Sequence, residues 1–183
     1  MTNQIKIYVA NLGKYNEGKL VGEWFTLPYD IKDIMVKIGL ATYDNEGNYI
    51  HGVEEDGIYY EEWAIHDYEA PFNINEYSSI KKLNEIAEKM EDMDEMDINI
   101  AFELLNDGIV SDFDEALESM EDVIVYHECR NMGDVAYKWH KEIGTDMNAP
   151  LMNYVDWDRL GRDMGIEGTF FQLDDNTIVE YVN

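Results

Sequence analysis

Apolar positions along this chain recur at two spacings, one of strands and one of helices. Ile5-Lys6-Ile7-Tyr8-Val9 and Gly22-Glu23-Trp24-Phe25-Thr26-Leu27 are short β-rich runs. The Asn- and Gly-rich stretch from Asn11 to Gly18 between them carries a turn signal. After Pro28, the residues Ile31, Ile34, Met35 and Ile38 fall at i, i+3, i+4 and i+7, which predicts a helix with one buried stripe, ended by Gly39. Asp44 to Gly57 reads as a long loop or a small hairpin. Tyr59 to Glu69 follows, with Trp63 and Ile65 facing inward. Together these runs predict a small antiparallel sheet carrying a helix.

The middle of the chain has helical spacing throughout. Ile80, Leu83, Ala87 and Met90 form one apolar stripe, and Ile98, Ala101, Phe102 and Leu105 form a second, stopped by Asn106-Asp107-Gly108. Phe113, Ala116, Leu117 and Met120 form a third, with Ser111 as its expected N-cap. Three short amphipathic helices make a bundle-like segment. The last third is mixed. Val123 to Tyr126 is short and β-branched, and Asp134 to Ile143 is helical with Gly144 as its expected cap. Pro150 precedes a further helix reaching about Asp163. Gly168 to Leu173 and Thr177 to Val182 pair as a hairpin through Asp174-Asp175-Asn176. The expected class is α+β in three parts: a β-rich domain over residues 1–73, an acidic helical domain over 74–122 and a mixed α/β domain over 123–183.

Charge changes the picture. The 183 residues carry 40 Asp and Glu against 13 Lys and Arg, a formal net charge of −27. A soluble small domain needs only about 2–8 in magnitude, and the excess repels itself. Direct binding of nucleic acid, which needs a basic surface, and binding to anionic membranes are both disfavoured. A basic protein groove is the natural partner. With 45% hydrophobic residues the chain still has the means for a packed core. It shows no apolar run of membrane-spanning length and no signal-peptide core, so it reads as soluble and cytoplasmic.

The acids are concentrated. Glu54 to Glu69 holds seven and no Lys or Arg, and Glu85 to Asp122 holds fifteen against the single base Lys89. Each like-charge pair at i, i+3 or i+4 costs roughly 0.2–0.5 kcal/mol, with little local structural return. Duplex DNA carries one charge per about 1.7 Å of axis, so −27 matches roughly 46 Å, about 13 base pairs. The candidate phosphate mimics are Glu54, Glu55, Asp56, Glu61, Glu62, Asp67 and Glu69, then Glu85, Glu88, Glu91, Asp92, Asp94, Glu95 and Asp97. Glu103, Asp112, Asp114, Glu115, Glu118, Glu121 and Asp122 complete the set.

Other chemistries fit less well. In an EF-hand alignment starting at Asp92, the sixth position is Asp97 rather than Gly, although Glu103 suits the twelfth. His127, Cys129 and His140 lack a second ligand pair at zinc spacing. His66 and Asp67 are neighbours on a strand and point to opposite faces. Gly13 and Gly18 flank Lys14 without a phosphate-loop pattern. Cys129, the only cysteine, reads as a small buried hydrophobe, and Trp24, Trp63, Trp139 and Trp157 read as core anchors. No metal, cofactor or catalytic residue is expected, and the chain is not expected to be an enzyme.

Ile7-Tyr8-Val9-Ala10-Asn11-Leu12-Gly13-Lys14-Tyr15-Asn16-Glu17-Gly18, continuing through Gly22, Trp24 and Pro28, resembles the opening of the ArdA family of antirestriction proteins. Glu61 to Glu69 resembles that family's second block. Asn153-Tyr154-Val155-Asp156, Gly161-Arg162-Asp163 and Gly168-Thr169-Phe170 resemble its third. The stretch from Ala41 to Tyr60 is longer than is usual there, and Glu128-Cys129-Arg130-Asn131 is less acidic. The resemblance implies an elongated, three-part homodimer that mimics bent B-form DNA, with dimer contacts in its C-terminal part. It also implies carriage on mobile elements and inhibition of type I restriction–modification enzymes through their DNA-binding groove. The alternative from composition alone is an acidic module that sequesters some other basic DNA-binding protein.

Overall fold

The computed structural model describes residues 4–143 and 149–182, and the chain divides into two compact units after Ile98. The class is α+β, with small antiparallel sheets and short helices. In the first unit β1 (Lys6–Asn11) is the central strand of a sheet ordered β2-β1-β7, with β2 at Gly22–Thr26 and β7 at Trp63–Glu69. Ile7, Val9, Phe25 and Ile65 turn to the core, and Lys6, Trp24, Asp67 and Glu69 lie outside it. The β1–β7 register slips between Tyr8 and Val9. Val9 faces Ile65 while Tyr8 faces Asp67, which leaves His66 as the extra residue of a β-bulge.

The turn expected between β1 and β2 contains one helical turn, α1 (Leu12–Asn16). Asn11 is fully buried and explains it. Its Oδ1 accepts from the Lys14 N–H at 3.0 Å, while its Nδ2 donates to the Ile38 carbonyl at 3.1 Å. One side chain therefore caps α1 and satisfies an orphan carbonyl at the end of α2 (Ile31–Lys37). Asp30 caps the start of α2, and Ile34, Met35 and Ile38 are buried from it. Gly39, at φ +73°, closes its end. The Gly39 N–H reaches the Val36 carbonyl and the Leu40 N–H reaches that of Met35, a Schellman arrangement.

Where a long loop or a small hairpin is expected over residues 44–57, residues 41–60 form two short hairpins. β3 (Ala41–Tyr43) pairs with β4 (Tyr49–His51), and β5 (Val53–Glu55) with β6 (Ile58–Tyr60). The second turns on Asp56-Gly57, both at positive φ, the geometry of a twist-matched two-residue turn. α3 (Ile80–Met90) buries Ile80, Leu83, Ala87 and Met90, the whole expected stripe. It belongs to the first unit, where Asn84 clamps Tyr29, accepting from its N–H and donating to its carbonyl.

α4 (Glu95–Asn106) corrects the second expected stripe. Ile98, Ile100, Ala101, Phe102 and Leu104 are all buried, whereas Leu105 is only partly so. α5 (Phe113–Glu118) is capped by Asp112, not by the expected Ser111. The Asp112 carboxylate accepts from the Glu115 N–H at 3.0 Å, and Glu115 reaches back to the N–H and hydroxyl of Ser111 at 2.7 and 2.6 Å. A 3-10 turn, Ser119–Asp122, leads to β8 (Val123–His127). The expected cap Gly144 of α6 (Met132–Ile143) lies outside the described residues. The helix expected after Pro150 divides. Pro150 sits within the single turn α7 (Ala149–Met152), and α8 (Trp157–Glu167) starts afresh behind its own cap, Asp156. β9 (Thr169–Asp174) and β10 (Thr177–Tyr181) form the expected hairpin in a sheet ordered β8-β10-β9.

Cys129 is fully buried, with Tyr126, Val135 and Ile178, as read from the sequence. The tryptophans do not anchor the core. Trp24 is 43% exposed and Trp139 39%, while Trp63 and Trp157 are only partly buried. The buried aromatic positions are instead held by Phe25, Tyr60, Phe102, Phe113, Tyr126 and Phe171. Among the described residues no helix is long and apolar enough to cross a membrane.

Candidate functional site

Carboxylates on this fold meet one of three surroundings, and the difference decides which can face a partner. Some close turns and helix ends. Asp44 folds the β3–β4 turn by accepting from the N–H groups of Glu46 and Asn48 and from the Asn48 amide, which holds its pKa below the usual value. Asp112 and Glu115 do the same for α5, and the Ser111 hydrogen bonds lower the Glu115 pKa.

Others meet lysine. Glu55 pairs with Lys14, whose side chain is only 14% exposed and whose Nζ lies 4.1 Å from the Tyr60 ring centroid. The shared hydrogen bond lowers the Glu55 pKa and raises that of Lys14. Beside them the Tyr60 hydroxyl donates to Glu17, whose pKa it lowers, and Lys19 pairs with Glu17 at 3.2 Å. Glu69 meets Lys6 at 2.9 Å, its neighbour in the strand register, and Glu85 meets Lys81 at 3.6 Å one helical turn away.

The third group meets water. All the candidate acids except Glu103 are exposed. Glu54, Asp56, Glu61, Glu62 and Asp67 make no ion pair among the described residues, although Asp67 accepts from the Tyr68 N–H. Neither do Glu88, Glu91, Asp92, Asp94, Glu95, Asp97, Glu118, Glu121 or Asp122. Asp114, on α5, does have a partner. Glu103 departs from the set. Burial, and then the charge of Asp107 one turn on, raise its pKa. It belongs more to the helix packing than to the surface.

Position along the helices separates these acids further. Asp94, Glu95 and Asp97 lie at the start of α4, where the backbone's partial positive charge favours them. Glu88 and Glu91 lie at the last turn of α3, and Glu118, Glu121 and Asp122 at the end of α5 and in the turn after it. There a negative charge faces the negative end of the helix and is destabilising. The sequence marks only acids such as Asp112 and Asp114 as offset at a helix start, and which acids fall at a helix end depends on where each helix stops. Glu76, outside the expected set, is an exposed acid beside β7, in a run from Ile38 to Ile80 that contains no Lys or Arg.

Among the described residues no group of three or more His, Cys, Asp or Glu side chains is arranged to hold a metal ion. The family model described as antirestriction protein (ArdA) matches residues 7–179. No curated protein matches the chain.

Proposed function

Because the chain belongs to the ArdA family of antirestriction proteins, we propose that it inhibits type I restriction–modification enzymes by presenting carboxylates where their DNA-binding groove expects phosphates. The observation that carries this reading is the set of exposed acids at the ends of α3 and α5. They have no ion pair among the described residues, and they sit where the helix ends oppose them. The last turn of α5 has no basic residue and that of α3 has Lys89 beside its acids, whereas a surface selected for stability would carry lysine in place of the acids. A surface selected to resemble a duplex backbone accepts the cost.

On this reading the protein binds no nucleic acid and performs no chemistry. It acts in the cytoplasm as a homodimer whose contacts lie within residues 123–183. It works by competition, so its effect is indifferent to DNA sequence and weakens steeply with salt. The test is a type I enzyme holding a labelled duplex. Stoichiometric release of the duplex, with a steep salt slope, is the expected result. No release at low salt, together with tight binding to a different basic DNA-binding protein, would replace this reading with that of a general acidic sequestering module.

A further inference from the structure

The β-bulge in β7 does more than kink a strand. Regular alternation would send Ile65 and His66 to opposite faces, but the extra residue re-aims His66 toward α1. There its ring meets that of Tyr15 edge-on, with centroids 4.7 Å apart and planes at 76°. Beyond the bulge, the Ile65 N–H donates to the Glu76 carbonyl at 2.9 Å, which draws the segment before α3 alongside β7. A cleft of about 490 Å³ lies between these parts.

Its lining has a graded chemistry. Ile65 and Ile74, both buried, give it an apolar floor. Tyr15, His66 and Tyr68 give it aromatic walls, and Tyr68 is steadied by a 3.2 Å hydrogen bond from its hydroxyl to Asn73. Asp67 and Glu76, both exposed, stand at its rim, in a stretch of chain with no Lys or Arg from Ile38 to Ile80.

We propose that this cleft is an anchor pocket for an arginine side chain of the partner enzyme. The residue that fits has an apolar stem, a flat cationic head and donors for carboxylates. Arginine offers all three, since guanidinium stacks on aromatic faces and bonds carboxylates in a fork, whereas lysine presents a strongly hydrated point charge. The proposal rests on the reading that the partner is a basic, DNA-gripping enzyme, and it adds a contact that a phosphate cannot make. The stacking contact acts at short range, so it adds affinity without steepening the salt dependence set by the carboxylate track.

The test uses the full chain and two probes, arginine methyl ester and lysine methyl ester, followed by amide chemical-shift mapping. Saturable shifts centred on residues 15, 65–68 and 74–76 are expected, larger for arginine. They should disappear in Tyr15→Ala and persist in Glu85→Gln. In the duplex-release assay Tyr15→Ala should weaken inhibition on the order of tenfold, with the salt slope unchanged. Shifts spread evenly over the acidic surface, or an unaltered arginine response in Tyr15→Ala, overturn the proposal. So does full inhibition by that variant. Arginine binding in the cleft of a protein that releases no duplex would instead locate the failure in the restriction-enzyme reading.

Discussion

Gly161 on α8 lies so close to Met132 at the start of α6 that an added β-carbon would sit 2.2 Å from the Met132 carbonyl oxygen. That oxygen is backbone, and no rotamer change can move it away. α6 and α8 pack together through this contact in the second unit. Gly161→Ala is therefore expected to destabilise the protein by about 3 kcal/mol. Gly165, one turn further along, has only the flexible Met132 side chain nearby, at 3.6 Å. Gly165→Ala is expected to stabilise by roughly 0.5–1 kcal/mol, the helix-propensity difference. Urea unfolding of the two variants checks both signs.

The Ser111–Glu115 contact predicts a pH dependence. Hydrogen bonds from Ser111 hold the folded pKa of Glu115 below its ordinary value of 4.5. A depressed carboxylate stabilises the fold above the unfolded pKa and loses that contribution as pH falls through the folded one. Glu115→Gln should thus lower stability at pH 7, and the difference from wild type should close below about pH 4. Equal stability of the two proteins at pH 7 would remove Glu115 from the cap.

Much of this fold was legible where a helix buries one face. Ile80, Leu83, Ala87 and Met90 are the expected stripe and the observed one. α4 was harder to read because Ile98, Ile100, Ala101, Phe102 and Leu104 are all buried, and burial beyond one stripe flattens the period. Ser111 and Asp112 are both good caps, and only coordinates show which one holds the Glu115 N–H. For the candidate site, exposure was legible from charge density alone. The pairing of Glu55 with Lys14 and of Glu69 with Lys6 was not, since residues 41 and 63 positions apart meet only through sheet registers and helix positions.

Glu103 is expected to behave opposite to Glu115. Burial and the neighbouring Asp107 raise its pKa, so the fold favours its protonated form. The stabilisation belongs to low pH and is lost as pH rises through the raised folded value. Glu103→Gln removes the charge that the helix resists and should stabilise the protein at pH 7 by on the order of 0.5 kcal/mol. The gain should vanish below about pH 4. Inhibition of restriction should be unchanged, because a partly buried carboxylate has little to offer a partner. A clear loss of inhibition would return Glu103 to the contact surface.

The helix-end acids set stability against function. Glu88 and Glu91 oppose the end of α3, and Glu118 opposes the end of α5. Replacing all three with glutamine should raise stability by roughly 0.3 kcal/mol per position. If they stand in for phosphates, the same variant should inhibit less well and show a shallower salt dependence. The log–log slope should fall by at most about 0.9 for each carboxylate that had replaced a phosphate. Glu95→Gln supplies the control, because Glu95 lies at the favoured start of α4 and its loss should lower stability and inhibition together. Opposite signs in the triple variant and like signs in Glu95→Gln separate a charge kept for the partner at the helix's expense from a charge that serves both. A stabilised triple variant that still released the duplex at full strength would show that these carboxylates do not touch the enzyme.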